Sequence, residues 1–433
     1  MKRLFIIASL AILAVGCQKT EIQNEVQTPI GFSTETGKLT RAIVTNGANG
    51  IAQYPEEQPF GVIAYAYQLN KNNDGSFSTE RVPDSKSVPM ENIEISNDGG
   101  TWRATGDIVY YWPNDPRTHM DFYAYSPAKP KNGNKDTQLL AHQELTGIIS
   151  HSEQESNQDT EYGLVLSNYT HDNMYVDFMV ADPVVSATYA NQISNAEYGV
   201  VNLNFRHEMT QISFVVKLDA AETTTEGTTR VDNKYPNIDF TIKSIVLNNV
   251  VSGATYAYND PNFSNTGLKW TPTNDAIADY KIYPATSNPA PDAGDYKNSY
   301  GAPELTNASE RKFEKTVVLR TDMSTRGDVQ VGEDCPGHKF STTPVTMIPQ
   351  AWNANDLQSF TIVYEISGTG VAKEEIVKTF AFNSSTPAPN WIANKKITYT
   401  LTIGLKEITF APSVTNWSEE DAAGSFEDDP SNV

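Results

Sequence analysis

Val201-Asn202-Leu203-Asn204-Phe205 and, after a short break, Ile212-Ser213-Phe214-Val215-Val216-Lys217-Leu218 decide the fold class. Apolar side chains recur at every second position in Val201, Leu203 and Phe205, and again in Ile212, Phe214, Val216 and Leu218. A period of two belongs to a strand with one face in a core, whereas a helix would repeat every 3.6 residues. Working outward, comparable short runs occur at Phe60 to Tyr67, Ile108 to Trp112, Met120 to Tyr125, Phe240 to Leu247, Lys315 to Leu319, Val345 to Ile348, Phe360 to Ile366 and Ile397 to Ile403. Clusters of Asn, Asp, Gly, Pro and Ser separate them, and helical periodicity is almost absent. The pattern predicts an all-β chain of antiparallel β-sandwiches.

Finer features agree. In Met120 to Tyr125, Met120, Phe122 and Ala124 share one face, while Asp121, Tyr123 and Tyr125 share the other. Between Ile242 and Ile245 the apolar parity shifts, as a β-bulge would make it do. Asn72-Asn73-Asp74-Gly75 reads as a hairpin turn, because Asp and Gly tolerate positive φ. It lacks the repeated acidic ligands of a calcium loop. The polar intervals Pro127 to Gln158, Ala220 to Asn237 and Thr271 to Arg311 read as long surface loops, which often carry partner contacts. The run at Val201 opens the second of two strand series, so the domain boundary is placed near residues 190 to 200.

Lys2 and Arg3 precede an apolar run from Leu4 to Val15, followed by Gly16 and Cys17. This is the layout of a secretory signal, too short to cross a bilayer of roughly 30 Å. Leu13-Ala14-Val15-Gly16-Cys17 resembles a bacterial lipobox, with Ala14 where leucine is commonest. On that reading residues 1–16 are a signal peptide and Cys17 carries lipid. The alternative is an ordinary signal peptide beside a chance cysteine. Only two cysteines occur in 433 residues, so a lipidated Cys17 leaves Cys335 without a disulfide partner, and a zinc cluster of cysteines is excluded. Cys335 sits in Asp334-Cys335-Pro336-Gly337-His338 and reads as a free loop cysteine rather than a reactive thiol.

The formal charge of -21 is spread along the chain. It opposes binding to nucleic acid or to anionic lipid through a basic patch. Contact with a membrane is therefore expected through lipid alone. The chain is long enough for two to three domains.

Gly-x-Ser-x-Gly, His-Glu-x-x-His and phosphate-cradling glycine loops are absent from the sequence. The six histidines, His119, His142, His151, His171, His207 and His338, form no close pair at metal-ligand spacing, so neither metal nor cofactor is expected. His207-Glu208 is tempting as an acid/base pair, although a strand-end histidine bonded to backbone or solvent explains it as well. Arg326-Gly327-Asp328 matches an integrin-recognition tripeptide, and an exposed turn accounts for it equally. Tyr65, Tyr67, Tyr110, Tyr111, Trp112, Tyr123 and Tyr125 could stack on sugars if exposed, or cover sandwich faces.

Several separated pieces carry a resemblance. They are Ile30-Gly31-Phe32-Ser33, Leu39-Thr40-Arg41-Ala42, Tyr111-Trp112-Pro113, Asp121-Phe122-Tyr123-Ala124-Tyr125-Ser126-Pro127 and Asp177-Phe178-Met179-Val180-Ala181. Val201-Asn202-Leu203-Asn204-Phe205-Arg206-His207, Ile348-Pro349-Gln350 and Tyr399-Thr400-Leu401-Thr402-Ile403 complete the set. In this order and spacing the chain resembles a fimbrillin of the major and minor fimbrial subunit superfamily of Bacteroidetes, including its Mfa-like branch.

The resemblance implies two transthyretin-like antiparallel β-sandwich domains in tandem, at 42–198 and 199–417. It also implies delivery to the outer membrane as a lipoprotein, assembly of a type V pilus by donor-strand exchange with other pilin subunits, and an arginine-specific maturation protease. The matching bond is Arg41-Ala42, which on this resemblance makes residues 17–41 a lipidated propeptide with a first strand around Gln27 to Lys38; the alternative is that Arg41 is an ordinary loop arginine. In that strand Ile30 and Phe32 alternate with small or polar neighbours and can fill a groove.

At the C-terminus, Ile408, Phe410, Val414 and Trp417 could form a donor strand or close the sandwich of their own chain, despite Pro412. Residues 418–433 read as an acidic flexible tail. Arg41 disfavours an anchor subunit, and the acidic tail favours a tip or accessory position. Two other functions stay open, a non-polymerising surface lipoprotein that binds glycans of a host or bacterial surface, and a hydrolase with a site built from distant carboxylates.

Overall fold

The computed structural model describes residues 28–36, 54–56, 58–128, 145–153, 161–172, 174, 176–194, 197–225, 228–231, 234–258, 269–274, 276–283, 317–319, 328–329, 339–342, 344–352, 357–382, 389–405 and 407–417. Among the described residues there are strands and turns and no helix. The chain is all-β.

The first half contributes β1 (Gly31–Thr36), β2 (Phe60–Lys71), β3 (Phe77–Arg81), β4 (Ser87–Asp98), β5 (Thr101–Ala104), β6 (Thr118–Ser126), β7 (Ile148–Glu153), β8 (Glu161–Thr170), β9 (Met179–Ala181), β10 (Val184–Ala187), β11 (Ile193–Ser194), β12 (Glu197–Tyr198) and β13 (Val200–His207). Seven of them form a closed ring in the order β6-β9-β13-β1-β5-β4-β2 and back to β6. Strands β10 and β3 add at its flanks. Two separate sheets were expected here; the pairing of β6 with β2 and the insertion of β1 between β13 and β5 join them into one barrel-like wall. Ring closure removes free edges from these seven strands.

Alternation explains the filling of the ring. Phe60, Val62, Ala64 and Ala66 from β2, Met120, Phe122 and Ala124 from β6, and Val201, Leu203 and Phe205 from β13 all point into one buried cluster. The opposite faces of β2 and β6 are buried too, since Ile63, Tyr123 and Tyr125 enter a second cluster with Leu164, Phe178 and Trp270. On that face Asp121 is also buried, and it accepts hydrogen bonds from Tyr67 Oη (2.9 Å), Arg81 Nη2 (2.8 Å) and the Ser186 amide (2.7 Å).

The second half contributes β14 (Thr210–Leu218), β15 (Glu222–Thr225), β16 (Thr228–Val231), β17 (Ile238–Val251), β18 (Gly253–Ala257), β19 (Trp270–Pro272), β20 (Ile277–Tyr283), β21 (Val317–Leu319), β22 (Asp328–Val329), β23 (Lys339–Ser341), β24 (Val345–Met347), β25 (Ser359–Gly368), β26 (Val371–Ala381), β27 (Lys395–Ile403) and β28 (Ile408–Asn416). One sheet runs β22-β23-β14-β27-β28, with β24 also on β14, and another runs β20-β17-β25-β26, with β21 also on β17. Ile212, Phe214, Val216 and Tyr399 of the first sheet share a buried cluster with Phe240, Ile242, Phe360 and Ile362 of the second. The expected parity shift is present, because the register of β17 against β25 slips between Ile242 and Ser244. The hairpin turn at Asn72 is also present, with the Gly75 amide donating to Asn72 O and Gly75 at φ +89°.

Other expectations are revised. Ile108 to Trp112 is not a strand: Tyr111 makes an isolated bridge to Pro29, and Ile108 and Val109 are exposed. The polar intervals expected as loops hold β7, the hairpin β15–β16, most of β19 and all of β20, whose many polar residues hide the strand period in the sequence. Strand β13, expected to open the second series, pairs with β1 and β9 in the first ring. The sheets change over at Glu208 and Met209 instead, because β14 pairs with β27.

The two halves share a four-stranded sheet, β19-β18-β8-β7, in which β18 pairs with β8. Nearby, His171 is fully buried: its Nδ1 lies 2.8 Å from Tyr169 Oη and its Nε2 2.8 Å from Thr346 O.

Candidate functional site

Strand β1 occupies an unusual slot. On one side it runs parallel to β13 over six residue pairs, from Gly31↔Val200 to Thr36↔Phe205. On the other side a single antiparallel pair, Phe32↔Trp102, joins it to β5. Just ahead of the strand, the Ile30 amide donates to Tyr110 O (2.8 Å) and the Trp112 amide to Thr28 O (2.9 Å). One side is thus a full ladder and the other is sparse.

Ile30 and Phe32 are 7% and 5% exposed. The Phe32 ring meets Phe60 and Phe122 edge-on, with centroids 6.2 and 6.0 Å apart. Around it Phe60 packs on Trp102 at 5.2 Å, and Tyr54 on Phe205 at 4.7 Å. Burying each of the two side chains contributes about 1.5–3 kcal/mol.

Gly199 shapes one end of the slot. Its carbonyl accepts from the Gly31 amide (3.2 Å) and from Trp112 Nε1 (2.9 Å). It has φ +81°, and an added Cβ would lie 2.7 Å from the Tyr189 ring and 2.9 Å from Trp112 Nε1. Only glycine fits both demands.

Strand β28 is an edge. It pairs antiparallel with β27 over nine residues, from Ile403↔Ile408 to Lys395↔Asn416. Ile408 and Phe410 pack against the second core, Phe410 lying 5.1 Å from Phe380 and 5.6 Å from Phe360. Val414 is 49% exposed. Trp417, beyond the strand, is buried and stacks on His207 with centroids 4.1 Å apart. These four residues therefore close their own chain in this structure, and they do so from a one-sided position.

Cys17, Arg41 and Ala42 lie outside the described residues, as do Cys335, Arg326, Gly327 and the 418–433 tail. His207 and Glu208 turn to different partners. His207 Nδ1 lies 2.7 Å from Asp177 Oδ2, whereas Glu208 Oε1 is 3.2 Å from Lys269 Nζ. Burial pushes the Glu208 carboxyl up and Lys269 opposes that shift. Of the seven aromatic residues considered for sugar stacking, Tyr67, Trp112, Tyr123 and Tyr125 are buried, Tyr65 and Tyr110 are half-buried, and Tyr111 is exposed. Among the described residues no group of three His, Cys, Asp or Glu side chains could hold a metal ion, and no helix is long and apolar enough to cross a membrane.

Sequence reasoning found Ile30 and Phe32 but missed Trp102, Tyr54 and Gly199. Nothing in their local pattern says which strand will face them. Trp112 had a signal in Tyr111-Trp112-Pro113, though the role of its indole in holding the Gly199 carbonyl was not visible.

No curated protein matches the chain. Among solved structures, it is similar to a fimbrial protein from Bacteroides vulgatus ATCC 8482, at 17% identity over 90% of this chain and 99% of that one, with a TM-score of 0.47. It is also similar to a protein from Bacteroides uniformis ATCC 8492 described as a "putative cell adhesion protein", at 12% identity over 90% and 99%, with a TM-score of 0.41. The fimbrillin-like family matches residues 40–417, which is most of the chain. On that match, the chain belongs to the fimbrillin-like family.

Proposed function

We propose that this chain is a structural subunit of a cell-surface fimbrium that serves adhesion. On this reading it is exported as a lipoprotein anchored to the outer membrane through Cys17, and an arginine-specific protease cuts Arg41-Ala42. It then joins other pilin subunits by exchange of β1. Tandem transthyretin-like sandwiches remain the finer description of its two halves, with the ring closed through β1 as the local departure.

One observation carries the reading: β1 holds a full ladder to β13 and one residue pair to β5. A cut at Arg41 would free the segment carrying β1 from the chain that follows. Its departure would leave the unpaired edge of β13 and the pocket of Phe60, Trp102 and Phe122 for a strand from another subunit. Main-chain hydrogen bonds would supply affinity and alternate side chains specificity. A subunit cleaved in this way accepts a strand, so it is not an anchor. The edge position of β28 favours an accessory subunit, which accepts one strand and gives another, over a tip.

The test is to treat purified chain starting at Cys17 with an arginine-specific protease. A cut after Arg41 followed by slow growth of detergent-resistant ladders is expected. Resistance at Arg41, or cut chain that stays monomeric beside candidate partner subunits, overturns the reading. For the anchor, Cys17→Ser should abolish membrane retention, and unchanged fractionation would contradict it.

A further inference from the structure

Exposed aromatic residues gather at the Pro29 end of the β1 slot. Tyr111 pairs with Pro29 from one side. On the other side Tyr198 immediately precedes Gly199, whose carbonyl accepts from the Gly31 amide and from the indole of Trp112, the neighbour of Tyr111. Tyr111 and Tyr198 are 43% and 56% exposed. Tyr189, whose ring lies 6.0 Å from that of Tyr198, and Val109, two residues before Tyr111 in the chain, are exposed too. The chain itself leaves this collar uncovered among the described residues, and large exposed apolar clusters mark contact sites.

We infer that the collar is the contact surface for the body of a second copy of this chain, one that has placed its own β28 in the slot of β1. The inference rests on the strand-exchange reading above.

Register comes first. Ile408-Thr409-Phe410-Ala411 follows the same spacing as Ile30-Gly31-Phe32-Ser33. Laid on β1 in that register, Ile408 and Phe410 take the two buried places. Thr409 falls on Gly31, where an added Cβ meets nothing nearer than Val200 Cγ2 at 3.4 Å. Pro412 falls on Thr34. The Gly31 amide points to β13 and the Ile30 amide to the opposite side, so by alternation even-numbered amides of β1 face away from β13. Position 34 also lies beyond Phe32, the last residue of β1 paired with β5. A proline there removes no ladder bond.

Polarity follows from register. The incoming β28 runs in the direction of β1, so its Ile408 end lies at Pro29. Its own body is attached there through β27, which ends at Ile403, leaving residues 404–407 as the tether. Four residues span at most about 14 Å. The donor's body is therefore held against the acceptor's Pro29 end, where the collar is. Leu405 on the tether is 39% exposed and supplies an apolar partner from the donor side.

The test uses chain cut after Arg41 as acceptor, with two donors: a synthetic peptide of residues 406–417 and the full chain. The acceptor variant carries Tyr111→Asp and Tyr198→Asp together, and Val109→Lys serves as a second variant. The peptide should bind parent and variants within about twofold, showing an intact slot, while ladder formation with full chain should fall about tenfold or more in the variants. Variants that bind peptide and form ladders like the parent overturn the collar. If the peptide fails to bind even the parent, strand exchange through β28 is wrong and the collar falls with it. Failure of peptide binding in the double variant alone means a damaged slot, and Val109→Lys then decides by the same ladder measurement.

Discussion

The imidazole of His207 lies flat against the indole of Trp417, with ring centroids 4.1 Å and planes 4° apart. His207 ends β13 in the first ring, and Trp417 follows β28 at the edge of the second half. The stack pins the last described residue of the chain to the far body. Trp417→Ala is expected to cost about 3–5 kcal/mol, as for other buried aromatics. It should also raise amide exchange along β28 more than along β27. Equal protection of β28 in parent and variant would show that the stack does not hold the strand.

Acid should loosen the seam between the halves through His171. Burial pushes its pKa down to about 4, against the opposing pull of the Thr346 carbonyl. The folded-state value lies below the unfolded value of about 6.5, so the unfolded chain takes up the proton first. Stability from this group is complete above pH 6.5 and declines as pH falls toward 4, by roughly 3 kcal/mol in all. Urea unfolding at pH 7 and pH 4.5 measures it. His171→Gln should lose stability at pH 7 yet show a shallower acid decline than the parent; identical slopes would refute the assignment.

The β1 slot should be sensitive at two points. Phe32→Ala is expected to cost about 3–5 kcal/mol through the cavity left among Phe60, Phe122 and Trp102. Gly199→Ala adds a side chain at φ +81° against Trp112 and Tyr189, and a loss of a few kcal/mol is expected. Thermal unfolding reads both, and a melting temperature unchanged in either variant would contradict the packing.

Asp121 should matter beyond its size. It is buried and takes hydrogen bonds from Tyr67, Arg81 and Ser186. Asp121→Ala leaves Tyr67 Oη and the Ser186 amide without that acceptor, at an expected cost of about 1–3 kcal/mol for each buried group left unpaired. Asp121→Asn, which keeps the shape, should cost less. Denaturant midpoints for the pair of variants test the ordering.

Much of the fold was legible because a strand's period is visible in one segment. Val201, Leu203 and Phe205, like Ile212, Phe214, Val216 and Leu218, are buried as their alternation required. Even the slip after Ile242 was written in the parity of its neighbours. Partnership is a different kind of information. β13 and β14 look alike in sequence and go to different bodies, because pairing depends on segments far away in the chain. Ile108 to Trp112 has strand-like residues, but only Tyr111 finds a bridge, and Ile108 and Val109 stay in solvent. The polar strands β7, β15 and β16 were hidden for the converse reason. At the slot, Ile30 and Phe32 stood out by spacing, while Trp102 and Gly199 matter only because the ring brings them there.

The parallel ladder between β1 and β13 joins residues far apart in the chain; Ser33 donates to Asn202 across 169 positions. Closing so long a loop is slow, and contacts of this range form late in folding. Strand β1, first of the described strands in sequence, has its ladder partner only once β13 has been made. If that contact forms last, a folding intermediate lacking only β1 would present the same gap that removal of the strand would create. On the strand-exchange proposal, a kinetic trap and an assembly site would then be one surface, and the covalently attached β1 would also guard the newly folded chain against its own copies.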